Sequence, residues 1–247
     1  QGVNEPDYSI GLSNEFVSPR FDPEFWMAQA ELNTRLFRCI DTRARNAVGL
    51  GVHACICERR QKKIEEGPAG RNKMAQAHRD KELLEDLLEM PNLEGQSITE
   101  VFYNVEYDIG GSGNGYLEVI ERNDLKERVA GGELVGLLHV PCSRMRVSAQ
   151  RDRYVRVMRN ATVRKKYFRR FGDTNPEHTY IDWQTGKFYE KWPSDLSIEL
   201  QGTSILHIKN YCPLDDYYGQ PPSLTAGLAS IGNKYQAMWN VNLLQNN

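Results

Sequence analysis

His53, Cys55 and Cys57 carry side chains that bind transition metals, and they alternate along the chain. On one strand all three would project to the same face and could donate three ligands to zinc. A fourth ligand is not in sight, and free cysteine commonly behaves as a small buried hydrophobe. The run Gly110-Gly111-Ser112-Gly113-Asn114-Gly115 has the composition of a phosphate loop. Phosphate-binding glycines follow a strand and open a helix. Here helical periodicity comes first and strand alternation after, which predicts a flexible connector instead. Asp215-Asp216 is a carboxylate pair, but neighbours in a turn point apart and do not share acid–base work. His139 and His207 lie among apolar residues in strand-like segments and read as packed or hydrogen-bonded histidines. No Gly-x-Ser-x-Gly elbow, HExxH pair or Walker lysine occurs. These residues predict no enzyme, no cofactor and no metal site.

One charge feature rises above background. Arg144 and Arg146 lead into Arg151, Arg153, Arg156, Arg159, Arg164, Lys165, Lys166, Arg169 and Arg170, interleaved with Tyr154, Tyr167 and Phe168. One reading is a surface that touches the phosphates of DNA or a partner's acidic patch. The other is a solvated sheet face neutralised by acidic residues elsewhere, since a basic stripe without a motif is only an electrostatic footprint. The whole chain does not choose between them. It holds 31 Lys and Arg against 33 Asp and Glu, a net charge of -2, unlike a protein that grips nucleic acid by global charge.

The elements that would carry these residues follow from periodicity. At 247 residues and 40% hydrophobic content, the chain can bury a sizeable core in one or two domains. No apolar run is long enough to span a membrane, and the start has no signal-peptide pattern. Five cysteines without paired spacing suit a reducing compartment. Residues 1–21 are polar and Pro-punctuated, an expected arm. Asp22-Pro23 opens a helix over about 23–48, stopped by Gly49-Leu50-Gly51. A strand is expected over Val52–Cys57. Residues 58–80 are almost all polar, an excursion outside the core, and Leu83–Leu88 form a short helix before Pro91. Ser97-Ile98-Thr99-Glu100 is a capping box for a helix ending at Gly110-Gly111. From Tyr116 the period becomes two, with strands near 115–121, 133–140, 144–149, 152–158, 162–169, 178–183, 186–191 and 203–209. The class is α+β, a helical N-terminal part followed by a β-rich antiparallel sheet or small barrel.

The last stretch organises the rest. After the strand at 203–209, Asp215, Asp216, Gly219, Pro221 and Pro222 make a turn, with Gly219 expected to supply strained backbone dihedrals. From Leu224, apolar residues recur at Leu228, Ile231, Tyr235 and Met238, which draws one stripe along a long helix. Its other faces hold Ala229, Gly232 and Trp239, and Lys234 is its single charged residue. A helix apolar or small nearly all round is covered on more than one side. These residues therefore predict contact with neighbouring subunits.

The strand, the turn YYGQPP and the helix ending LLQNN resemble the portal proteins of tailed bacteriophages, the PBSX-like branch. So do GNGYLEVIER, LVGLLHVPCSRMRV and LNTRLFRCIDTRARNAVGLG, in the same order. The resemblance implies an N-terminal half: a wing over 22–210, then a turn and first stem helix over 211–247. The clip, second stem helix and crown would be absent from this chain. It also implies a homo-oligomeric ring, usually of twelve subunits, at one capsid vertex of the virion, assembled in the host cytoplasm. The implied partners are the large terminase, a head–tail connector (adaptor) protein, the major capsid and scaffolding proteins, and double-stranded DNA passing through the channel. No membrane is implied. The residue-based alternative is a nucleic-acid-binding module that uses the basic strands.

Overall fold

Side-chain caps decide how the chain enters its fold. A computed structural model describes residues 15–65, 70–122, 133–158 and 165–245. After a short strand β1 (Phe16–Val17), Asp22 accepts from the Glu24 N–H at 3.0 Å and Pro23 begins α1 (Pro23–Leu32). Asn33 ends it. The Asn33 Oδ1 accepts from the Arg35 and Leu36 N–H groups, both at 3.1 Å, and so starts α2 (Thr34–Val48). The single helix expected over 23–48 is therefore two, because the Asn33 side chain takes donors that a continuous helix would use. Ala30, Ile40, Ala44 and Val48 face the core.

Val52–Cys57 lies outside regular structure and pairs with no strand among the described residues, a correction to the expected strand. The charged region that follows is helical. It holds α3 (Glu58–Glu65) and α4 (Gly70–Glu89), and α4 runs on through the leucines expected to form a helix of their own. Leu87 anchors α4 to the core, while most of its polar residues are exposed. Gly67, Pro68 and Ala69 lie outside the described residues.

Helix α5 (Ile98–Ser112) starts at Ser97, whose Oγ accepts from the Glu100 N–H at 3.2 Å. It runs through Gly110 and Gly111 and stops at Gly113, which is left-handed (φ 83°). The strands that follow are β2 (Asn114–Arg122), β3 (Glu133–Val140), β4 (Met145–Ser148), β5 (Arg153–Val157), β6 (Lys165–Arg170), β7 (Tyr180–Ile181), β8 (Phe188–Tyr189) and β9 (Ser204–Lys209). Six of them join β1 in one seven-stranded sheet of order β1-β4-β5-β6-β9-β2-β3, and β7-β8 is a separate ladder. The large sheet is mixed: β6 and β9 pair in parallel and the other pairs are antiparallel. It is open, with β1 and β3 at its edges, so the expected small barrel is not formed. The fold class is α+β.

Period-two alternation in β2 divides the core. Tyr116 packs with Val140, Met145, Val147, Phe168 and Ile205. Leu117 and Val119 pack instead with Val101, Val105 and Ile109 of α5. After a 3-10 turn at Pro222–Ala226 comes α6 (Gly227–Gln245), so the last helix begins one turn later than its proline suggests. Among the described residues, no helix is long and apolar enough to cross a membrane.

Candidate functional site

The turn that launches α6 is held by a buried junction between the end of α5, the start of β2 and the end of β9. The Asn114 Oδ1 accepts from the Gly219 N–H at 2.7 Å and from His207 Nε2 at 3.1 Å. His207 must therefore carry its proton on Nε2, since the acceptor is an amide oxygen. Its ring stacks on Tyr116 at 4.3 Å and meets Tyr154 edge-on at 5.8 Å. Burial, helped by the charge of Lys209, pushes its pKa down to about 3, so this histidine stays neutral. The Asn210 N–H donates to Gly113 O at 2.9 Å, which ties β9 to the cap of α5.

Two glycines allow this approach. A Cβ on Gly219 would stand 2.0 Å from Gly113 O and 2.8 Å from Asn210 N. On Gly113 it would stand 2.5 Å from both the carbonyl carbon and oxygen of Gln220. Gly219 is thus required by close packing and not by strained dihedrals, since its φ is not positive. The glycine run at 110–115, expected to be a flexible connector, is buried and makes defined contacts.

The turn itself is folded by Asp215, whose Oδ1 accepts from the Tyr217 and Tyr218 N–H groups at 2.7 and 3.0 Å. The Tyr218 hydroxyl accepts from the Val147 N–H at 2.9 Å and donates to Val17 O at 2.6 Å. Burial raises its pKa, so the hydroxyl keeps its proton. Pro221 is buried and Pro222 is exposed. The launch of α6 is therefore braced by β1, β4, β9 and α5 together.

Helix α6 is not covered in the same way. Tyr235 is 66% exposed, Met238 52%, Trp239 63% and Leu244 78%. Gly232 is exposed, and a Cβ there would meet nothing within 4 Å. Leu224, before the helix, is half-buried. Leu228, Ala229 and Ile231 lie on α6, but their side chains fall outside the described residues.

The chain shares 23% sequence identity with chains of two solved gene transfer agent particles. One is a chain of the neck of an empty gene transfer agent particle, computed with C6 symmetry, at a TM-score of 0.58. The likeness covers 97% of this chain and 50% of that one. The other is a chain of the native gene transfer agent virion, at a TM-score of 0.57, covering 97% and 49%. The fold is shared. This chain spans about half the length of the chains it matches. No protein-family model and no curated protein matches it.

The basic strands are mostly satisfied from within. Arg153 Nη2 pairs with Glu15 at 2.9 Å and its Nη1 donates to Gly186 O at 2.9 Å. Lys166 Nζ pairs with Glu118 at 2.9 Å, and the buried Arg169 pairs with Glu121. Arg151 pairs with Asp216 at 3.2 Å. Arg156 and Lys165 are half-buried and Arg170 is exposed. Arg159 and Arg164 lie outside the described residues. Among the described residues, Arg153, Lys166 and Arg169 are thus taken up in internal ion pairs.

Among the described residues, Asp108, His139 and Cys142 meet in the fold. Asp108 Oδ2 is 2.8 Å from His139 Nε2 and accepts from the Cys142 N–H at 2.9 Å, all within the fold. Burial pushes the Cys142 thiol well above its usual range, away from the thiolate a nucleophile needs. His53, Cys55 and Cys57 are exposed, and no group of three metal-ligating side chains occurs among the described residues. The residues sequence reasoning missed are Asn114, Asn210 and Tyr218. Nothing in their local patterns marks them, because their partners are distant in the chain.

Proposed function

We propose that this chain is a structural, non-enzymatic subunit of a portal-type head–tail connector, the wing and first stem helix of a ring at one capsid vertex of a phage-like particle. The observation that carries this reading is α6. A 19-residue helix with one charged residue leaves Tyr235, Met238, Trp239 and Leu244 largely in water. Apolar surface of that extent is covered in a working assembly. The cover is a second copy of the same chain, each α6 against a different face of the next, closing by rotation. The likeness over 97% of the chain to chains of a gene transfer agent neck, computed with C6 symmetry, and of a gene transfer agent virion supports it. In this role the ring serves as a conduit for double-stranded DNA and a dock for a large terminase and an adaptor protein. Usually twelve subunits make such a ring. The internal ion pairs of Arg153, Lys166 and Arg169 leave fewer cations for a nucleic-acid-binding module that would use the whole stripe. Native mass spectrometry on the full-length protein tests the proposal: a closed ring supports it, and a monomer at all concentrations refutes it.

A further inference from the structure

β9 remains a strand to Lys209, yet its pairing with β6 stops at Arg170 opposite Ile205. Beyond that point, the side of β9 facing away from β2 has no strand partner among the described residues. The sheet opens there into a cleft of about 270 Å³, walled on its apolar side by Val147, Tyr154 and Ile205. Three cationic side chains line it, Arg151, Arg170 and Lys209, against one carboxylate, Asp216.

The arrangement of these charges is unusual for a neutralised surface. Arg151 has φ 58°, the only positive value at a described non-glycine residue. This value belongs to the tight β4–β5 turn, closed by the Arg151 N–H donating to Ser148 O at 2.9 Å, and the turn brings Arg151 to the cleft. Its guanidinium lies 4.7 Å over the Tyr217 ring and 3.2 Å from Asp216 Oδ2. Lys209 Nζ donates to the backbone oxygen of the same Asp216. Burial and the nearby Arg151 hold the Lys209 ammonium below its usual pKa. Arg170 makes no ion pair among the described residues, and its neighbour Asp173 is bonded to His178 at 2.7 Å. The Asp216 carboxylate is 82% exposed, and Asp215 acts on Lys209 and Asp173 on Arg170 without a close ion pair, so the cations are only partly balanced. His207 also lines the cleft but is neutral.

We propose that this cleft binds a phosphoryl group, either as free phosphate or as the phosphodiester of a nucleic-acid strand. A phosphoryl group has several acceptor oxygens, which match three separated cationic heads better than one carboxylate does. Calorimetric titration of the full chain at constant ionic strength tests it, with inorganic pyrophosphate in one arm and a short single-stranded oligothymidylate in the other. Saturable pyrophosphate binding is expected, weakened about tenfold by Arg170→Gln or Lys209→Gln and tightened by Asp216→Asn. Those opposite directions separate loss of a ligand contact from loss of folding. An oligonucleotide that competes with pyrophosphate supports the site and names a strand as its source; pyrophosphate binding alone supports it and names free phosphate. Binding weaker than about 10 mM to both ligands, or equal affinity in all variants, overturns the proposal.

Discussion

Replacing Gly232 by arginine should act in opposite directions on the subunit and on the ring. In the subunit, a Cβ at this position meets nothing within 4 Å, and the residue is exposed on α6. Glycine in a helix interior costs about 1 kcal/mol relative to a good helix former such as arginine. The isolated subunit should therefore melt at the same temperature or slightly higher. In a ring whose helices approach at their small residues, the same substitution buries an unpaired guanidinium. An uncompensated buried charge costs about 3–5 kcal/mol, a factor of roughly 10² to 10⁴ in each association step. Native mass spectrometry of full-length Gly232→Arg should show subunits in place of rings, while calorimetry shows an undamaged fold. Rings in normal yield would refute the placement of α6 against a neighbour. A sharply lower melting temperature would refute the open space seen around Gly232.

Three further outcomes follow from the body of the fold. Gly219→Ala should cost about 1–3 kcal/mol, because the added Cβ would lie 2.0 Å from Gly113 O, a backbone atom with little room to move; an unchanged melting temperature would count against that contact. His207, with its folded pKa near 3 against an ordinary 6.5, is neutral in the fold, so the unfolded chain takes up the proton first as pH falls. Stability should be fully present above pH 6.5 and decline by about 1.4 kcal/mol per pH unit as pH drops toward 3. Denaturant melts at pH 7 and pH 5 should show this decline in the wild type, and a smaller one in His207→Gln. Arg169→Met should destabilise by about 3–5 kcal/mol because it removes the buried ion-pair partner of Glu121, whereas Arg169→Met with Glu121→Met should recover most of the loss. A double variant as unstable as the single one would show that the pair matters for more than charge balance.

What the sequence determined by itself are the features that depend on neighbours in the chain. Asp22-Pro23 and Ser97 cap helices where local chemistry places them, and six strands from β2 to β6 and β9 fall within a few residues of the alternation that marks them. The apolar circumference of the last helix was likewise visible, because composition alone shows that one charge cannot dress a surface helix. The apolar period ran straight through Asn33 and hid the break between α1 and α2. Tertiary structure decided the rest. Whether the strands close into a barrel depends on pairing between distant segments, and β1 and β3 stay apart as the two edges of an open sheet. Val52–Cys57 alternates like a strand, but a strand needs a partner, and the fold supplies none among the described residues. Gly219 carried a turn signal, while its reason for being glycine is the backbone of Gly113, far away in the chain. The basic stripe was plain in one dimension. Which of its charges are neutralised depends on Glu15, Glu118, Glu121 and Asp216, which only folding brings to it.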